Sequence, residues 1–145
     1  MAYRSGSLFP RGAGFRLKQV TVVGAGAAGL MAALWSARAD APTVLVDGVA
    51  NPGKKILISG GGRCNVLPIA VDKSDFFTQG SRNVVRRWLR TWPLPHVKSF
   101  FEEELGVPLQ EEADGKYFPV SGKAQEVLDA LLGAVTSAGV TVKFG

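Results

Sequence analysis

Two glycine blocks and one acid in this 145-residue chain have the types and spacing to do chemistry: GAGAAG at Gly24 to Gly29, SGGGRCN at Ser59 to Asn65, and Asp47 between them. In the first block Gly24 permits a tight turn, Gly26 lets the backbone approach a pyrophosphate, and Gly29 lets a helix pack close to a strand. Ala25, Ala27 and Ala28 complete the block and belong with it to the expected cofactor-contacting set. The free N–H groups and partial positive charge of a helix N-terminus would face the phosphates. Asp47 lies 23 residues after Gly24 and 18 after Gly29, the spacing at which an acid accepts hydrogen bonds from an adenosine ribose. Spacing does not separate NAD from FAD, since both present the same adenosine diphosphate half. The alternative is a glycine turn with no ligand and a solvated carboxylate at a strand end.

In the second block, Gly60, Gly61 and Gly62 let backbone amides crowd a ligand. Arg63 supplies a fixed positive charge for phosphate or a reduced flavin, and Asn65 offers both donor and acceptor. The spacing is not that of a Walker loop. The alternative is a structural loop with Arg63 on a surface carboxylate. Cys64 beside Arg63 could have its thiolate favoured by that charge, although a small buried side chain is the better reading. His96, the single histidine, follows Pro95 at a helix start and reads as structural. No catalytic residue and no metal-ligand set is identified.

The positioning elements follow from pattern. Leu17 to Val23 reads as a buried strand, Leu30 to Ala39 as a helix, and Pro42 to Asp47 as a second strand. Ile56 to Ser59 reads as a brief extended segment. Ser81 to Trp92 and about His96 to Leu105 read as amphipathic helices, with Trp88 and Trp92 in the core and Arg86, Arg87 and Arg90 on a solvated face. Glu102 to Glu104 is another solvated run. A hairpin turning at Asp114-Gly115 comes next. Ser121 can cap a helix running to about Ser137, and Val140 to Phe144 is a third strand. The order predicts an α/β fold: half of a doubly wound parallel sheet, with a segment of about 52–120 inserted between its second and third strands. A chain stopping just after the third strand reads as the N-terminal part of something longer.

Composition, 46% hydrophobic and 20% charged, is that of a globular protein. The net charge of +5 is unevenly spread: residues 1–39 hold five basic residues and no acid, whereas 40–145 hold 12 of each sign. The excess sits mainly in residues 1–18, a basic extension rich in Gly, Ser and Pro. That distribution argues against a nucleic-acid partner. No run suits a membrane span. One cysteine excludes an internal disulfide framework, and with no secretory signal the expected location is the cytoplasm.

From Val20 to Phe144 the sequence resembles the start of a family of bacterial NAD(P)/FAD-dependent oxidoreductases, among them aminoacetone oxidases and bile-acid reductases. Four blocks carry the resemblance: VVGAGAAGLMAA, GKKILISGGGRCNV, LGVPLQEEADGKYFPVSGKAQEVLDAL and GVTVKF. It implies a glutathione-reductase-like FAD-binding fold, with Gly24, Gly26, Gly29 and Asp47 on the adenosine diphosphate half of FAD. It places Lys55 to Asn65 along the pyrophosphate and ribityl chain. Where the family tends to have Glu at the end of the second strand, this chain has the shorter Asp47. The implied function is electron transfer between NAD(P)H or an organic substrate and an acceptor, with a small-molecule substrate and the rest of a full-length chain as partners. The rivals are a nucleotide-binding module without catalysis and an NAD(P)-binding dehydrogenase domain.

Overall fold

A computed structural model describes residues 18–145, so all but Lys18 of the expected basic extension lies outside the described residues. Those residues divide into two compact units, one running to Pro52 and resuming at Ala134–Gly145, the other Gly53–Gly133.

The first unit is a three-stranded parallel sheet in the order β1-β2-β6: β1 Val20–Val23, β2 Thr43–Asp47 and β6 Thr141–Phe144. Parallel neighbours need a crossover, which α1 (Ala27–Arg38) supplies between β1 and β2. Val22 pairs with Leu45 and Leu45 with Val142, so these side chains share one face. Buried Leu45 on that face and Leu30, Ala33 and Leu34 of α1, at i, i+3 and i+4, form this unit's core. Helix α1 begins three residues earlier than predicted, taking Gly29 into its first turn. It ends where Asp40 turns left-handed, φ 62°.

The second unit opens with α2 (Lys54–Ile58), which replaces the extended segment expected at Ile56 to Ser59. A four-residue apolar run carries no decisive periodicity, and Gly53, φ 79°, turns the chain into a helical start instead. The turn Ser59–Gly62 follows. Strand β3 (Leu67–Pro68), the hairpin strands β4 (Leu109–Glu112) and β5 (Lys116–Pro119) form an antiparallel sheet in the order β3-β5-β4. Glu112 pairs with Lys116 across a three-residue loop ending in left-handed Gly115.

Helix α3 (Arg82–Thr91) is capped by Ser81, whose Oγ accepts from the Asn83 N–H. Helix α4 (Leu94–Ser99) starts at Leu94, earlier than predicted, because Pro95 is well suited to a first turn. It continues into a wider turn at Phe100–Glu104. Trp92 packs edge-on against Phe100 as expected of a core residue, whereas Trp88 is 65% exposed, contrary to expectation. Helical spacing placed Trp88 with Val85, but only Val85 turns inward. Helix α5 (Ala124–Ser137) begins after Ser121, whose hydroxyl accepts from the Lys123 N–H and so shapes the preceding turn rather than capping the first helical residue.

Candidate functional site

In the first unit the glycine turn and Asp47 come together as the spacing predicts. The Gly24 N–H donates to the Val46 carbonyl at 2.8 Å, tying the turn to the end of β2. Gly24 has φ 97°, a conformation that disfavours any side chain. A Cβ on Gly29 would lie 1.7 Å from the Gly24 carbonyl oxygen, so the helix can approach the strand only without one. At Gly26 the opposite holds: nothing lies within 4 Å of where a Cβ would be. Its lack of a side chain answers to no neighbour among the described residues, and it leaves clear of them the approach to the start of α1.

That helix start is bare. No side chain caps it and no acid lies in its first turn. Ala27 and Ala28 are exposed, and the N–H groups of Ala27, Ala28 and Gly29 have no hydrogen-bond partner among the described residues. Uncompensated N–H groups at a helix N-terminus are an anion site. The half-buried Asp47 stands beside it, Oδ2 accepting from the Ala25 N–H at 2.7 Å and Oδ1 from the Val49 N–H at 3.2 Å. Each carboxylate oxygen accepts more than one hydrogen bond, so both keep capacity for a hydroxyl donor. Open approach, unsatisfied amides and an adjacent carboxylate fit a dinucleotide's pyrophosphate and ribose.

In the second unit, four residues of the Ser59 to Asn65 loop are left-handed. Gly60, Gly61 and Gly62 have φ of 56°, 69° and 88°, and Cys64, not a glycine, has φ 65°. The Arg63 and Cys64 N–H groups both donate to the Ser59 carbonyl. A Cβ on Gly60 would meet the Phe118 ring at 2.6 Å and the Asn65 nitrogen at 3.0 Å, whereas Gly61 faces open space. Arg63 is ion-paired with Glu112 and lies 4.3 Å from the centroid of the Phe118 ring. The spacing gave no sign of these two hairpin partners, because they lie about 50 residues away; the alternation of β4 and β5 is the signal that could have pointed to them.

Cys64 is 6% exposed. Burial pushes its thiol pKa up, against a smaller opposing pull from a hydrogen bond with Ser59. Lys55, Gly61, Gly62 and Asn65 are exposed, Lys55 on α2 and the others in the loop. His96 is exposed in α4. Among the described residues no group of three or more His, Cys, Asp or Glu side chains could hold a metal, and no helix is long and apolar enough to cross a membrane.

Known proteins share this fold. The family model described as the HI0933-like protein Rossmann domain matches residues 18–145. The chain is 28% identical over 125 residues to the ribosomal RNA dihydrouridine synthase of Escherichia coli, covering 84% of this chain and 30% of that protein. It is 32% identical over 117 residues to the 3-dehydro-bile acid delta(4,6)-reductase of Clostridium scindens, covering 79% of this chain and 28% of that one. The chain thus spans less than a third of the length of these relatives. Among solved structures, Thermovibrio ammonificans THI4 superposes with a TM-score of 0.56 at 20% identity, over 88% of this chain and 38% of that one, a likeness of fold.

Proposed function

This chain belongs to the HI0933-like Rossmann family of FAD-binding oxidoreductases, and we propose that its glycine turn and Asp47 hold the adenosine diphosphate half of FAD for such an enzyme. The observation that carries the reading is the start of α1: three N–H groups without a partner among the described residues, open space among those residues at Gly26, and the Asp47 carboxylate fixed 2.7 Å from the Ala25 nitrogen. The N–H groups of Ala27, Ala28 and Gly29 would take the pyrophosphate, and Asp47 would accept from the ribose hydroxyls while holding the turn in shape. The segment Lys55 to Asn65, with Gly60, Gly61, Gly62, Arg63, Cys64 and Asn65, is the second part of the proposed cofactor-binding set. Its exposed glycine amides and the Arg63 donors left over from Glu112 are suited to further acceptors on the cofactor.

FAD bound in this way would supply reversible two-electron chemistry, with NAD(P)H as the proposed donor in a cytoplasmic setting. The relatives' names support a narrower substrate class. A dihydrouridine synthase and a delta(4,6)-reductase both concern saturation of a carbon–carbon double bond, one in a pyrimidine, the other in a bile acid. We take reduction of such a bond in a conjugated organic acceptor as the activity of the enzyme. The 145 residues by themselves would bind cofactor without appreciable turnover.

The test is a calorimetric titration of the chain with FAD, ADP and NAD, repeated with Gly26→Val. Saturable binding of FAD and ADP that falls severalfold in the variant is expected. Equal affinities in the two proteins would remove the assignment of this turn, and a preference for NAD over FAD would favour a dehydrogenase domain.

A further inference from the structure

The Arg63 side chain is fixed more fully than a surface ion pair requires. Its guanidinium carbon lies 4.3 Å from the centroid of the Phe118 ring, and Nη1 donates to the Glu112 carboxylate. Both partners come from one face of the β4–β5 hairpin, since Glu112 stands opposite Lys116 and Phe118 opposite Gln110, alternate positions of each strand. An acid facing a lysine across two strands ordinarily pairs with it. Here Lys116 Nζ is ion-paired with Asp114 at 2.6 Å, and Glu112 is left to Arg63. Glu111, on the other face, accepts instead from the Tyr117 hydroxyl at 3.4 Å.

The loop does not need this pair to keep its shape. Its backbone is closed by the Arg63 and Cys64 N–H groups, both donating to the Ser59 carbonyl, and Cys64 is buried. The Phe118 ring already lies where a Gly60 side chain would go. The Arg63 and Glu112 side chains are 47% and 27% exposed, a setting in which an ion pair adds little to stability. What the two partners determine is direction. They hold a long, flexible cation in one pose, with most of its N–H donors taken by no other acceptor among the described residues.

We propose that Glu112 and Phe118 are positioning residues that hold Arg63 ready for an acceptor group of the cofactor, so that its ordering is complete before the cofactor arrives. The inference rests on the flavin reading of the loop given above and adds to it two residues from outside the SGGGRCN block. Its effect has a sign that separates it from simple electrostatics. Glu112 is an acid beside a loop that would receive an anionic dinucleotide, so its charge alone opposes binding and its removal would tighten it. A residue that orients Arg63 does the reverse, because without it the side chain must be immobilised at the moment of binding.

The test is a calorimetric titration of the whole chain with FAD and with ADP. Glu112→Ala should weaken FAD binding by about threefold to tenfold, the cost of ordering one long side chain on binding. Arg63→Gln should weaken it at least as much, and adding Glu112→Ala to Arg63→Gln should take nothing further away, as expected of a residue that acts only through the other. Glu112→Gln keeps an oxygen acceptor at the same reach and should recover most of the loss. Phe118→Leu, which keeps the packing apolar and removes the ring face, should act in the same direction as Glu112→Ala. The thermal transition of Glu112→Ala should stay with the parent's; a lowered transition accompanying the lost affinity would reduce Glu112 to a structural role and overturn the proposal. Unchanged or tighter FAD binding in Glu112→Ala or Phe118→Leu, or a loss that adds to that of Arg63→Gln, would overturn it too, while ADP binding that falls in Gly26→Val would leave the adenosine assignment standing. If the parent binds neither FAD nor ADP, that assignment falls and the positioning role falls with it.

Discussion

Gly26 and Gly29 are two glycines of one motif whose reasons for being glycine differ. At Gly29 the reason lies inside the chain, where a methyl group would sit 1.7 Å from the Gly24 oxygen. We expect Gly29→Ala to lower unfolding free energy by about 1–3 kcal/mol, the range for overpacking, in a denaturant titration without any ligand. At Gly26 there is open space, so Gly26→Ala should leave that titration within about 0.5 kcal/mol of the parent and act on nucleotide affinity instead. Asp47 works in both ways. In Asp47→Asn one oxygen becomes an amide that meets the N–H of Ala25 or Val49 donor to donor. A loss of about 1–3 kcal/mol in stability is expected from that mismatch alone, with weaker ADP binding on top. A variant that loses ADP affinity at unchanged stability would restrict Asp47 to the ribose.

At the scale of elements, the Ser59 to Asn65 loop turns through three left-handed glycines and is pinned to the β4–β5 hairpin through Phe118 and Glu112. Gly60→Ala has both a strained φ and the Phe118 ring in its way, whereas Gly61→Ala faces only the backbone strain, about 1–2 kcal/mol. Thermal melts should therefore rank Gly60→Ala clearly below Gly61→Ala. Cys64 adds a pH dependence. Its folded pKa is raised by burial, so on titration upward the unfolded chain loses the thiol proton first. The contribution of this group is intact below the ordinary thiol value of about 8.5 and declines as pH rises through it. Cys64→Ala should flatten stability against pH on the alkaline side. Native Cys64 should react slowly with a thiol reagent at neutral pH and fast once unfolded.

For the whole molecule, the sheet β1-β2-β6 has Thr21, Val23, Val44, Val46, Thr141 and Lys143 on the face opposite the one that carries Leu45, and Val23 is 81% exposed. β1 pairs on one edge only among the described residues. Within this unit a dinucleotide held at the start of α1 would meet one wall. We expect the 145-residue chain to lose FAD on gel filtration and to show negligible anaerobic flavin reduction by NADPH. Stoichiometric retention with steady turnover would show that these residues suffice.

What the sequence determined by itself was local. Strand, glycine turn, helix and terminal acid lie within 28 residues of one another, and Gly24 and Gly29 answer to backbone constraints that arise within that stretch. That β1, β2 and β6 share a parallel sheet followed from the same alternation of strand and helix. What the tertiary structure decided was whatever depended on distant partners. Gly53, whose turn makes Ile56 to Ile58 helical, lies so close to Leu128 of α5 that no Cβ would fit. Arg63 found Glu112 and Phe118 across a hairpin 50 residues on. Trp88 turned outward while Val85, three residues earlier on the same helix, turned in. Spacing along a chain fixes which residues share a face, but which face meets the core depends on what packs against it, and that is settled only when the chain has folded.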